Sequence, residues 1–418
     1  MPFPEHSLRV AIAGATSLRG KDLKYWLEEG GFPAGEIKLV DEELAAGTLT
    51  EVAGEPAVVQ SIDEASFDGL RFVFFTGSAA FAAKYGPAAD RAGASVIDMA
   101  GGIWAGERAR PWIPALDSLI SPPAGVSLPN DHYHTWVAPS TPAITACSLA
   151  AAFAELSPVR LAITFFQPVS ERGEAGISEL EAQTVKLLSF QPIPQQVFDA
   201  QVAFNLTARW GADSAERLPD ARMTIAREVQ RYLGDRISLP AMTLVQAPVF
   251  YGHAFSAWAE FKDRQSEEVL TDRLRSAGFK VLEADEPSPS NLAAAGEPQP
   301  TISRPERDDN VPGGYWMWGA ADNFRLANVN ATRIAERLLA KPAPSWQPLD
   351  PWSRFRHRHG RELESDAPVC RLARKSRGGI RRDFRDEDRN ERSRGSGQQL
   401  PAHGESVRDA MARQEIWS

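Results

Sequence analysis

The residues of this 418-residue chain whose types and spacing suit chemistry fall in three places. The first is the turn Gly14-Ala15-Thr16-Ser17-Leu18-Arg19-Gly20, which has glycines where a backbone turns tightly and where a helix packs close to a sheet. Such a turn aims helix N-terminal N–H groups at a pyrophosphate, but many helices begin after a glycine-rich turn with no ligand, so spacing alone leaves both readings open. The second is His253, a residue type that suits a general base, although a lone histidine after a strand is more often structural. The third is the pair Cys147 and Cys370, far apart and without CxxC or Cys/His ligand spacing, which suggests neither a metal site nor a disulfide framework and fits a reducing cytoplasm.

The elements that must position these residues follow from hydrophobic periodicity. Leu8 to Ala13 reads as a short buried strand, and Lys21 to Glu29 carries Leu and Trp at helical spacing. The runs Ile37 to Val40, Phe72 to Phe75 and Ser95 to Ile97 read as strands, with Ser78 to Gly93 as an alanine-rich helix. Strands alternating with helices imply a doubly wound parallel sheet. Near Val137 the texture changes: a helix over Pro142 to Leu156 precedes a longer strand, Val159 to Phe166. Thr243 to Phe250 and Ala257 to Phe261 read as antiparallel strands, Glu267 to Ala277 as an amphipathic helix, Glu286 to Gly313 as a long loop, and Asn328 to Leu339 as a final helix.

The run VAIAGATSLRGKDLKYWLEE followed by GFPAGEIKLV resembles the opening of the aspartate-semialdehyde dehydrogenases, whose pattern is GATGxVG, then FP and a second strand. Four further runs are similar to family motifs in the same order. They are FFTGSAAFAAKYGPAADRAGASVID, TFFQPVSERGEAGISEL, APVFYGHAFSAWAEF and WMWGAADNFRLANVNATRIAERLL, so the resemblance spans Leu8 to about Leu339. It implies an α/β fold with a Rossmann-like NAD(P)-binding domain and an α+β dimerisation/catalytic domain of the semialdehyde dehydrogenase type. The implied boundaries are 1–137 for the first domain, 138–327 for the second, 328–340 for a helix returning to the first, and 341–418 for an Arg-rich disordered tail.

Family chemistry uses a cysteine, in a Pro-Asn-Cys motif, that attacks the aldehyde; the resulting hemithioacetal passes hydride to NADP, and phosphate cleaves the acyl-enzyme. The matching stretch here is Ala138-Pro139-Ser140-Thr141-Pro142-Ala143, which places Thr141 at the nucleophile position. A threonine hydroxyl offers almost no anion at neutral pH without a strong adjacent base. Cys147 lies about six residues further into the predicted helix, most of two turns away, and reads as packing. Gln167 matches the substrate-orienting glutamine and His253 the general base. Gln246 replaces the arginine expected to pair the substrate carboxylate, and Trp104 falls at or beside the phosphate-binding arginine.

The resemblance assigns cofactor contacts to Gly14, Thr16, Ser17, Leu18, Arg19 and Ser78. NAD or NADP is the implied cofactor, with no metal. Ser17 replaces the middle glycine; it crowds the pyrophosphate yet keeps a hydroxyl to donate. Asp41-Glu42-Glu43 follow the second strand, where they repel the 2′-phosphate of NADP and can accept from the ribose of NAD. Leu326 and Ala327 replace a lysine and a glycine of the terminal motif.

The formal charge of −9 argues against a nucleic-acid-binding body. Beyond Ala340 there are five more basic than acidic side chains, interleaved in a stretch without periodicity. It reads as a solvated polyampholyte or as a nucleic-acid or partner-binding arm. No run of apolar residues is long enough for a membrane span, and the N-terminus lacks the pattern of an export signal. Three functional readings follow: a non-catalytic homodimer with a structural, regulatory or nucleotide-sensing role; an active NAD(P)-dependent oxidoreductase using His253 with Ser140 or Thr141; and a hetero-partner of an active homologue.

Overall fold

The computed structural model describes residues 8–29, 32–103, 109–120 and 135–339. Trp104 and the Arg-rich tail lie outside the described residues, and so do the readings that rest on them.

In chain order, the first half comprises β1 (Leu8–Ala13), α1 (Leu18–Glu29), β2 (Ala34–Asp41), β3 (Leu49–Val52), β4 (Glu55–Val58), β5 (Gln60–Ser61), β6 (Phe72–Phe75), α2 (Ala79–Arg91), β7 (Ser95–Asp98), β8 (Ala109–Pro111) and β9 (Thr135–Val137). Apart from the β3–β4 hairpin these strands form one sheet of order β5-β2-β1-β6-β7-β9-β8, parallel at every pairing. All four residues of Phe72–Phe75 are buried, as a strand covered on both faces requires. β1 has β2 on one side and β6 on the other. At that reversal of winding the carboxyl ends of the strands open a crevice, the usual binding place in this architecture.

The second half comprises α3 (Thr141–Phe153), β10 (Pro158–Gln167), α4 (Gly173–Leu188), α5 (Leu218–Leu233), β11 (Ala241–Gln246), β12 (His253–Phe261), α6 (Glu267–Ser276), β13 (Lys280–Leu282), β14 (Thr301–Ser303), β15 (Glu306–Arg307), β16 (Gly314–Ala321) and α7 (Arg325–Leu339). The strands run in the order β11-β10-β12-β16-β14-β13, with β15 paired to β16. One face of this mixed sheet carries Ile163, Phe165, Phe255, Ala257 and Met317 into the main core with α3, all of whose residues are buried. A helix apolar on every side belongs in a core. α7 returns to the first sheet, where Ala331, Ile334 and Ala335 join Val10, Ile12 and Leu23.

Two expectations about the second half need correction. The strand expected over Thr243 to Phe250 ends at Gln246 and pairs parallel to β10, not antiparallel; the chain reaches it through α4 and α5, a crossover that permits parallel pairing. The loop expected over Glu286 to Gly313 contains β14 and β15, whose runs of two or three residues are too short for periodicity to register. Among the described residues no helix is long and apolar enough to cross a membrane.

Candidate functional site

The turn from Gly14 to Gly20 joins β1 to α1 at the crevice. Gly14 has φ +90°, and a Cβ there would stand 2.6 Å from Gly77 Cα, so the two backbones approach as only glycines allow. Thr16 donates from both its backbone N and its Oγ1 to Asp41 Oδ2, at 2.9 and 2.6 Å. Ser17 departs from expectation: its Oγ is within hydrogen-bond distance of Gly14 O (2.8 Å) and Thr76 O (3.0 Å) and accepts from Gly20 N (3.0 Å). One hydroxyl proton shared between two carbonyls leaves none for a ligand. Ser78 caps α2 by accepting from Phe81 N at 3.1 Å.

The N–H groups of Leu18 and Arg19 are helix-terminal donors with no partner among the described residues. Unpaired N–H groups at a helix start are of the kind that can face an anion. The Arg19 side chain does something else. Its Nη1 donates to Met99 O just past β7, and its buried Nε has no partner.

Residues 140–141 stand where β9 gives way to α3, close to β7, since Ala138 N donates to Asp98 O at 2.9 Å. The fully buried Asp98 carboxylate accepts from Ala100 N, Gly101 N and Ile103 N at 2.9, 3.1 and 2.8 Å. Burial raises its pKa, and those three N–H groups and the charge of Arg19 oppose the rise. The Thr141 hydroxyl, 2% exposed, donates to Asn323 O at 2.9 Å, with Asp322 O at 3.4 Å. Both neighbours are acceptors, and neither can take its proton. Ser140 behaves differently, since its N (3.1 Å) and Oγ both bond to Glu228 Oε2. Burial lifts the Glu228 pKa from 4.5 to about 7, against the pull of the two Ser140 hydrogen bonds and the charge of Arg19.

His253 Nε2 lies 3.3 Å from Glu171 Oε1, and its Nδ1 is buried without a partner. Asn323 Nδ2 donates to Glu171 Oε1 (3.0 Å) and Ser170 Oγ (3.2 Å), and Asn323 Oδ1 accepts from Gly252 N (3.0 Å). Burial raises the Glu171 pKa, but the His253 hydrogen bond and charge, Arg19 and Asn323 together bring it below the usual value. Gln167 ends β10; its carbonyl accepts from Gln246 Nε2 at 2.9 Å, and its own side-chain amide bonds to no described residue. Gln246 Oε1 is buried without a partner.

Among the described residues Thr141 and His253 are thus linked through Asn323 and Glu171 in turn. Glu171, Glu228 and Asn323, which bond to the candidate site residues, are ones that sequence reasoning missed. A signal for Glu228 existed, because Ile225, Val229, Tyr232 and Leu233 define the buried stripe of α5 and Glu228 falls within it.

Residues 9–109 match the family model for the semialdehyde dehydrogenase NAD binding domain, and residues 149–326 the model for the semialdehyde dehydrogenase dimerisation domain. The chain is 31% identical over 343 residues to a USG-1 protein homolog of Pseudomonas aeruginosa, covering 79% of this chain and 98% of that one. It is 29% identical over 339 residues to aspartate-semialdehyde dehydrogenase 2 of Vibrio cholerae, covering 79% and 97%. Among solved structures it is similar to a probable aspartate-semialdehyde dehydrogenase of P. aeruginosa (28% identity, TM-score 0.68, 80% of this chain and 99% of that one) and to aspartate-semialdehyde dehydrogenase II of V. cholerae (26%, 0.70, 80% and 99%). The chain belongs to the semialdehyde dehydrogenase family.

Proposed function

We propose that this protein is a non-catalytic, homodimeric member of its family with a structural, regulatory or nucleotide-sensing role in the cytoplasm, built from domains 1–137 and 138–327. The observation that carries the reading is the Thr141 hydroxyl, at the position of the family nucleophile, buried and donating to the Asn323 carbonyl. Covalent catalysis needs a nucleophile within reach of a base. The imidazole that would serve is held at Glu171 instead. Cys147 supports the same reading: it is wholly buried within α3, and desolvation raises its thiol pKa well above the ordinary value. The expected result is no phosphate-dependent oxidation of aspartate semialdehyde with either NAD or NADP. Turnover at a rate above a heat-denatured control would overturn the reading.

A second reading, an active oxidoreductase, is favoured by one contact, the hydrogen bond from Ser140 Oγ to Glu228. Glu228 is a carboxylate poised near neutrality, where a general base works best. If Ser140 were the nucleophile, Ser140→Ala would abolish any turnover observed, and Thr141→Ala would spare it.

Dimerisation we assign to the open face of the second sheet. Trp316 and Trp318 on β16 are 48% and 37% exposed, beside Trp258 on β12 and Phe166 on β10. The indole N–H groups are already bonded, Trp258 and Trp316 to Asp308 Oδ2 (3.1 and 2.9 Å) and Trp318 to Pro289 O (2.8 Å). What remains to present is ring surface, the material of an interface centre. Light scattering should give twice the chain mass for the native protein and the single chain mass for the variant carrying Trp316→Glu and Trp318→Glu. A native monomer would refute the assignment.

A further inference from the structure

We propose that Arg19 closes the second-nucleotide half of the crevice, so that this chain takes a nucleoside diphosphate on its first half and leaves the nicotinamide end of a dinucleotide unbound. The inference rests on the nucleotide-sensing reading and specifies what such a site accepts.

The two halves of the crevice differ. On the side of β1 and β2, the site fits a nucleoside diphosphate. Leu18 N and Arg19 N have no partner among the described residues at the start of α1, and the turn 14–20 itself has no acidic residue, the neighbouring Asp41 Oδ2 being taken up by Thr16. Asp41 accepts from Thr16 through Oδ2, while Oδ1 has one partner, Glu42 N at 2.9 Å, so a lone pair remains for a ribose hydroxyl.

On the side of β6 and β7, the site does not fit a nicotinamide. Hydride transfer requires the ring within about 3.5 Å of a carbon held at residue 141, so the ring must lie between the end of β7 and the start of α3. The Arg19 side chain lies in that passage. It bonds to Met99 O beyond β7, and its charge acts on Asp98 of β7, on Glu171, and on Glu228, which holds Ser140. The guanidinium is anchored at the Met99 carbonyl, and its charge favours the ionised forms of Asp98, Glu171 and Glu228, so clearing it would raise the cost of those buried charges. The cationic ring of an oxidised nicotinamide would meet a fixed positive charge as well as a filled space. This obstruction is separate from Thr141: it acts on the cofactor, not on the nucleophile.

The test is calorimetric titration of the full chain with ADP and with NADH, reading the nicotinamide fluorescence of bound NADH in parallel. The native protein should bind ADP and NADH with dissociation constants within about 3-fold of each other and leave the emission at its aqueous position, since the ring contributes no contact. Arg19→Val, which keeps the backbone N–H, should tighten NADH relative to ADP by roughly 10-fold or more and shift the emission to the blue. Arg19→Met, which keeps length without charge, should give a smaller gain. Native protein that binds NADH at least about 10-fold tighter than ADP with shifted emission overturns the proposal, even if the variants do not fold. So does an Arg19→Val protein, folded by its thermal transition, whose NADH-to-ADP ratio is unchanged. Absence of binding by either nucleotide overturns both this inference and the nucleotide-sensing reading; turnover of aspartate semialdehyde, which needs a nicotinamide seated beside the substrate carbon, overturns both this inference and the proposed lack of catalysis.

Discussion

Glu228→Gln should make the protein more stable than the native form at pH 8, by an amount on the order of 3 kcal/mol relative to any difference between the two at pH 4. Glu228 is buried, and its folded pKa of about 7 stands above the ordinary 4.5. A carboxyl whose pKa is raised by folding contributes stability that is fully present below the unfolded pKa and is lost as pH rises through the folded one. The loss therefore develops between about pH 4.5 and pH 7 and stays level above that window. Glutamine has no proton to lose, and its Oε1 can accept from Ser140 N and Oγ as the carboxylate does. Asp22 and Asp98, also raised chiefly by burial, slope the same way, but they are present in both proteins and largely cancel in the difference. Urea titrations at pH 4, 6 and 8 measure this directly. Parallel stability curves for the two proteins across that range would show that folding does not raise the Glu228 pKa.

How much of this molecule its sequence discloses depends on how local the cause is. Four strands of the first sheet are legible because each is a short apolar run closed by its own turn: Leu8–Ala13 and Phe72–Phe75 have the expected bounds, Ser95–Asp98 extends one residue further and Ala34–Asp41 is longer than expected, while β5, β8 and β9, of two or three residues, are too short to register. The direction of β11 is not legible, because alternation along a strand carries no information about which neighbour it joins. The same division runs through the site. Thr141, Gln167 and His253 are legible as candidates because short motifs carry them, and Gly14 because a tight turn after a strand calls for glycine, which its φ of +90° matches. Glu171 and Asn323 lie within the motifs too, yet nothing local indicates that one carboxylate would hold His253 and one amide would bridge the segments at Ser170 and Gly252. Arg19 is the sharpest case: its position in the turn predicts a backbone N–H facing a phosphate, whereas the course of its side chain to Met99 is set by packing from the rest of the molecule.

The largest loss of stability expected from a single small substitution is at Gly14, and two other glycines separate its causes. Gly14→Ala should cost about 3–5 kcal/mol, from a positive φ that L-residues resist and from a Cβ forced against the Gly77 backbone. Gly47 shares the first cause without the second: its φ is +86°, but nothing lies within 4 Å of an added Cβ, so Gly47→Ala should cost only about 1–2 kcal/mol. Gly20 shares the second without the first. It lies within α1, where alanine gains about 1 kcal/mol of helix propensity, but its Cβ would stand 2.6 Å from Gly14 O and 2.9 Å from Thr76 Oγ1. A backbone carbonyl in the tightest turn of the crevice cannot yield as a flexible side-chain end can, so overpacking of about 1–3 kcal/mol should exceed that gain. The expected order of denaturation midpoints is therefore native, then Gly20→Ala and Gly47→Ala, with Gly14→Ala lowest. If Gly14→Ala proves no worse than Gly47→Ala, the turn and the strand end at Gly77 are not held together as described. The crevice would then be wide enough to admit ligands that the close approach of these two glycines excludes.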